Sequence, residues 1–237
     1  MLYELQARAE METWKLRMRK APSMVQRLSR TLQARVNRII PEKVHRAITA
    51  TIREMVRGVL FGSKYTVPGK QEYASFAEME AAVRKRIGYY KHTAAAEGGV
   101  TGAGGILLGL ADFPILLSMK LKLLFDIATM YGFDVKDYRE RLYILLIFQL
   151  AFSSQDHRRK VFSQMEDWAR RAETLPEKEE SFDWRAFQQE YRDYLDIAKM
   201  AQLMPVIGAA VGVVVNYRLV TKLGETAINA YRMRLLR

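Results

Sequence analysis

The sequence predicts an all-α protein: a single helical bundle-like domain of about nine to ten helices. No stretch of the 237 residues sustains the period-two alternation of a strand. Apolar residues recur at helical spacing, with proline and glycine at the ends of the runs. Two glycine-rich apolar hairpin or helix segments, Gly98–Met119 and Leu203–Val215, place small residues four apart, a spacing that lets helix backbones touch.

Taken in order, residues 3–20 read as a charged helix ending before Pro22, with Met11, Trp14 and Met18 as its core side. Residues 23–40 form a second helix, with Ser23 as N-cap and Pro41 as stop. Pro41 opens a third helix that runs to about Phe61 and closes at Gly62. Residues 62–72 are a turn-rich connection. A fourth helix over about 75–96 ends at the surface near Glu97 and leads into the glycine segment. Asp112 is expected as the N-cap of a helix through Tyr131, with Gly132 as its stop. Helices over 137–152 and 154–172 follow, then a charged linker at Glu173–Ser181, then helices over 182–203 and 205–235. One domain covers 1–237, with a basic N-terminal part at 1–70, a central part at 71–172 and C-terminal helices at 182–237.

Charge is unevenly spread. Of the net +12, residues 1–70 carry 15 Lys/Arg against 5 acids and residues 216–237 carry 5 against 1, while 71–215 carries 18 against 20. Basic ends imply a polyanionic partner, a membrane surface or nucleic acid. The absence of cysteine excludes disulfide and thiolate chemistry and suits a reducing cytoplasm. The first residues include Glu4, Glu10 and Glu12 and lack an apolar core, so no signal peptide is expected.

Gly98–Met119 has 22 residues, six glycines and one charge, Asp112. On an insertion scale its nine Leu, Ile, Phe and Val residues contribute roughly −3 to −5 kcal/mol, and Asp112 returns about +3. Glycines and Pro114 erode the rest, so a stable single span is not supported. Leu203–Val215 would reach only about 20 Å as a helix. Lys85, Arg86 and Lys91 precede the first segment, and Lys120 and Lys122 follow it. Lys199 precedes the second, and Arg218 and Lys222 follow. Cations on both flanks suit a hairpin with legs at about 98–108 and 109–119 that enters and leaves on one side. The spacings Gly98/Gly102, Gly105/Gly109 and Gly208/Gly212 suit close helix contact in a bundle equally well. Close packing ranks first, and the two readings coexist if packed helices open at a membrane.

In the second helix Val25, Leu28, Leu32, Val36 and Ile39 share one stripe, opposite Arg27, Arg30, Arg35 and Arg38. That is the pattern of a helix lying on anionic lipid or of a bundle helix with a solvated basic face. A nucleic-acid reading ranks third, because no helix-turn-helix, RNP, GXXG or zinc spacing accompanies the basic residues.

Catalytic constellations are thin. His45, His92 and His157 are isolated, no Walker A or GxSxG motif is present, and neither a metal nor a cofactor is expected. Glu97, Asp112 and Asp126 are the acids set in apolar surroundings, a pattern that raises polar ligand contacts. Their plain structural roles rank ahead: a helix end for Glu97, a cap for Asp112, and an i,i+4 pair with Lys122 for Asp126.

The run Glu97–Met119 (EGGVTGAGGILLGLADFPILLSM), with Lys120–Tyr138 (KLKLLFDIATMYGFDVKDY) and Arg139–Ser154 (RERLYILLIFQLAFSS), resembles the EcsC family. Ile40–His45 (IPEKVH) and Gly62–Thr66 (GSKYT) resemble it too, so the likeness covers nearly the whole chain. The resemblance implies the third product of an operon whose other genes encode an ABC-transporter ATPase and its membrane subunit, linked to secretion, regulated intramembrane proteolysis and competence. It brings no catalytic residue or cofactor. The expected protein is a cytoplasmic, non-enzymatic accessory factor at the inner face of the membrane, with an anionic surface and ABC-transporter subunits as partners. The alternative is an enzyme or carrier of a lipid-like ligand in a glycine-lined apolar pocket.

Overall fold

Eight helices and no strand form among residues 2–20, 42–61, 69, 71–102, 105–153, 155–176, 181 and 209–236, which the computed structural model describes. They are α1 (Leu2–Arg19), α2 (Glu42–Phe61), α3 (Phe76–Gly102), α4 (Gly105–Met130), α5 (Tyr138–Phe152), α6 (Gln155–Glu166), α7 (Trp168–Glu173) and α8 (Ala209–Leu235). The helices expected over 23–40 and 182–203 lie outside the described residues. The element expected over 154–172 divides into α6 and α7.

Local chemistry explains the boundaries. At the start of α3 the Glu78 N–H donates to Ser75 Oγ at 3.1 Å, and Glu78 Oε2 accepts from the Ala74 N–H at 2.8 Å. This is a reciprocal cap of the Ser-x-x-Glu kind. Asp137 caps α5 by accepting from the Arg139 N–H at 2.9 Å. α4 ends in a Schellman motif: Phe133 N–H bonds Ala128 O at 3.0 Å and Gly132 N–H bonds Thr129 O at 2.9 Å. Gly132 sits there at φ 86°, a conformation glycine adopts without a Cβ penalty.

The glycine segment departs from expectation. α3 does not stop near residue 96 but continues to Gly102, and α4 begins at Gly105. Glu97 is therefore not a helix end, Asp112 is not a cap, and Pro114 lies within α4. The legs expected at 98–108 and 109–119 are replaced by the ends of two long helices. Each interior glycine costs a helix about 1 kcal/mol, and tertiary packing of a long helix readily outweighs such local preferences.

Buried residues from all eight helices form one apolar cluster. α5 is buried almost all round, from Leu142 through Phe152, as a central helix should be. Met11 and Trp14 of α1 join the core, Met18 packs against it, and the Trp14 ring meets Phe162 of α6 edge-on at 5.5 Å. α8 packs most extensively along α3, and α4 lies against both. Among the described residues no helix is long and apolar enough to cross a membrane.

Candidate functional site

Three helices set the geometry. α3 and α4 run antiparallel, joined by Arg86–Asp126 and Tyr131–Glu80. α3 and α8 are also antiparallel, through Arg232–Glu80, the contact of Ile87 with Gly224, and Lys91 over the Tyr217 ring. α4 and α8 are consequently parallel, with Tyr131 stacked on Tyr231 at 5.2 Å and Lys120 bonded to Asn216. Continuing these helices brings the C-terminus of α3 and the N-termini of α4 and α8 to one end. The backbones of Gly98, Gly102, Gly105, Gly109 and Gly212 lie there. Gly208 and the arginines Arg27, Arg30, Arg35 and Arg38 lie outside the described residues.

At the opposite end Glu80, fully buried, receives Arg232 Nε at 2.7 Å and Nη2 at 2.6 Å. Tyr3 and Tyr131 donate to it at 2.6 and 2.9 Å, and Arg232 Nη1 reaches Glu10 at 2.8 Å. Burial pushes the Glu80 carboxyl up, but the hydrogen bonds from Arg232, Tyr3 and Tyr131 outweigh it and hold it below the usual carboxylate range. Nearby, Glu140 accepts from Arg234 at 2.6 Å and from Tyr231 at 2.7 Å, with the Arg234 guanidinium 3.7 Å from the Phe133 ring centre. Here burial wins and raises the Glu140 carboxyl.

Midway along the trio Asp126, fully buried, is bonded by Arg86 Nε at 2.8 Å, by Tyr90 Oη at 2.9 Å and by Lys122. The i,i+4 partner was legible in the sequence; Arg86 and Tyr90, from another helix, were not. Burial, followed by the Asp126 charge and hydrogen bond, raises the Tyr90 phenol. Three guanidinium, ammonium and phenol groups thus surround one carboxylate, an arrangement that locks α3 to α4.

Closer to the glycine-bearing end Lys120 is fully buried and bonds Asn216 Oδ1 at 3.2 Å and the Leu116 carbonyl at 3.4 Å. This corrects the expectation that Lys120 flanks the apolar segment as a surface cation. Around the outside, Tyr89, Ile115, Val214 and Tyr217 are 63%, 58%, 48% and 40% exposed. Lys85, Arg218 and Lys222 are exposed beside them, and Lys91 is half-buried with its ammonium 4.5 Å from the Tyr217 ring centre. Stretches 85–96, 113–122 and 213–224, which make up this zone, contain seven cations, of which Arg86 and Lys122 pair with the buried Asp126 and Lys120 is itself buried.

Among the described residues no group of His, Cys, Asp and Glu is placed to hold a metal. His92 is exposed and packs on Tyr217 at 6.4 Å. A shallow depression, lined by Ser163, Gln164, Asp167, Arg170, Arg171 and Thr174, lies apart along α6 and α7 and their ends.

Residues 5–236 match the EcsC protein family. Protein EcsC of Bacillus subtilis (strain 168) is 48% identical over 225 residues, covering 94% of this chain and 92% of that relative. Uncharacterized protein YdbA of the same strain is 29% identical over 143 residues, or 60% of this chain and 53% of that protein. No solved structure matches the chain. With nearly every residue inside the match, the chain belongs to the EcsC protein family.

Proposed function

We propose that this protein is a non-enzymatic accessory factor that docks by its glycine-bearing end on the anionic inner face of the cell membrane, beside an ABC transporter. The observation that carries the reading is the zone where exposed Tyr89, Ile115, Val214 and Tyr217 sit among Lys85, Lys91, Arg218 and Lys222, while Asp126 at the level of Arg86 and Tyr90 is fully buried against its own partners. Tyrosine and aliphatic side chains favour the headgroup boundary, and each surface-proximal cation adds about 1 kcal/mol on anionic lipid. Lys85, Lys91, Arg218 and Lys222 supply a salt-sensitive attraction, and the apolar side chains supply a salt-resistant part. Arg27, Arg30, Arg35 and Arg38, which the sequence puts on one face of the expected second helix, are assigned the same role.

The non-enzymatic part is supported by the use made of the buried carboxylates. Glu80, Asp126 and Glu140 each spend their oxygens on arginine, lysine or tyrosine partners that join helices. The transporter part is supported by EcsC membership, through the operon that the resemblance implies.

Co-sedimentation of the full chain with phosphatidylcholine vesicles, with and without phosphatidylglycerol, tests the docking. Binding is expected only with phosphatidylglycerol and is expected to fall in part with salt. Replacing Lys85, Lys91, Arg218 and Lys222 together with Glu should remove the salt-sensitive part. Failure to bind any vesicle would overturn the membrane role and leave a protein partner.

A further inference from the structure

α1 turns two stripes to opposite sides. Ala7, Met11 and Trp14 are buried, and the helix packs on α3, α6 and α8. Leu2, Leu5 and Leu16 point the other way and are 85%, 61% and 56% exposed. With Ala9, also exposed, they recur at the spacing by which one helix offers a seam to another. Along one edge of that seam, at about 100° per residue, run Glu4, Arg8, Glu12, Lys15 and Arg19. When a second copy is laid end for end on this face, Leu2 and Leu5 meet its Leu16, and Ala9 lies near the two-fold axis. The edge then meets itself. Glu4 faces Lys15 and Arg19 of the second copy and Arg8 faces its Glu12, so every facing pair is opposite in sign. α1 holds three acids and four bases in a chain of net +12. It is a nearly neutral face on a strongly basic molecule, where two copies repel least. Anionic lipid suits the stripe less well, because Glu4 and Glu12 border it.

We propose that α1 is the contact surface of a transient two-fold dimer, in which the exposed faces of two α1 helices pack antiparallel. The leucines supply the apolar contact, and the charged edge sets direction and register. The 18 residues of α1 make a helix about 27 Å long and about 10 Å across. Each copy therefore covers on the order of a few hundred Å², below the roughly 800 Å² per partner of a standard stable complex. Such a pair forms at high concentration and parts on dilution. The contact uses none of the docking side chains of α3, α4 and α8 and does not depend on membrane binding.

Sedimentation equilibrium of the full chain over rising concentration tests this. The mass is expected to rise from one chain to two and no further, since a two-fold contact closes on itself. Arg8→Glu and Glu12→Arg each set like charges against each other at two facing pairs, and each should weaken the dimer about tenfold. Mixed in equal amounts, the two variants should regain the wild-type affinity, because each then faces its opposite. Leu5→Ser should weaken pairing as well. All three positions are exposed, so the variants should unfold at the wild-type temperature. The proposal is overturned if the chain stays monomeric, if the mixture pairs no better than either variant alone, or if Leu5→Ser pairs like the wild type. Loss of vesicle binding by Leu5→Ser without any dimer would give the face to lipid instead.

Discussion

Arg232 joins three helices through one guanidinium: both Glu80 oxygens on α3, and Glu10 and the Ala7 carbonyl on α1, while it is itself on α8. Removing one partner of a buried pair strands the other charge, so Arg232→Leu should destabilise the fold by about 3–5 kcal/mol in urea unfolding. Adding Glu80→Leu to Arg232→Leu should recover part of that loss, because the stranded carboxylate is gone. The carboxylates also set a pH signature. Glu10 and Glu80 are held below the ordinary value of 4.5, chiefly by Arg232 for Glu10 and by bonds that overcome burial for Glu80. Their contribution is therefore full above pH 4.5 and lost as pH falls through their folded values. Glu140 is raised, so its contribution is full below 4.5 and lost as pH rises through its folded value. Glu140→Gln should flatten the decline above 4.5 and leave the acid limb intact, read as urea midpoints across that range.

At the level of helices, Gly224 marks a close approach of α8 to α3. A Cβ built there would lie 2.7–2.9 Å from three atoms of the Ile87 side chain. Ile87 is β-branched and has little rotamer freedom in a helix. Overpacking of about 1–3 kcal/mol should exceed the ~1 kcal/mol that alanine gains by helix propensity. Gly224→Ala should thus lower stability, and Ile87→Ala in the same chain should relieve the clash, with a coupling visible in a double-mutant cycle. Gly224 has no small partner four residues away, so the pattern that singled out Gly98 and Gly102 passes over it. Elements whose ends carry local chemistry were legible: α1, α2, the Gly132 stop and the limits of α5. The α3–α4 boundaries were not, because glycine content argues for breaking a helix whereas α3 runs on to Gly102 and α4 begins at Gly105. Asp126 with Lys122 was readable as an i,i+4 pair. Arg86, Tyr90, Glu80 with Arg232, and Lys120 with Asn216 needed the topology, since each pairs residues from different helices.

Across the whole molecule, polar structure is graded along the α3–α4–α8 trio. Ion pairs and stacked tyrosines fill one end, Asp126 and its partners the middle, and small residues with exposed apolar and basic side chains the other. On the docking proposal that gradient is what suits one end to a membrane surface, and among the described residues no helix is long and apolar enough to cross one. The chain has no cysteine, so a single introduced thiol reports on one position alone. The docking claim is tested most directly by carrying an environment-sensitive fluorophore on Ile115→Cys, at the glycine-bearing end, and on Ser163→Cys, exposed on α6. On phosphatidylglycerol vesicles the Ile115→Cys label should shift to the blue and be quenched by lipid-borne quenchers, while the Ser163→Cys label does neither. Vesicle-bound protein whose Ile115→Cys label stays in water, or whose Ser163→Cys label enters lipid instead, would contradict docking by the glycine-bearing end.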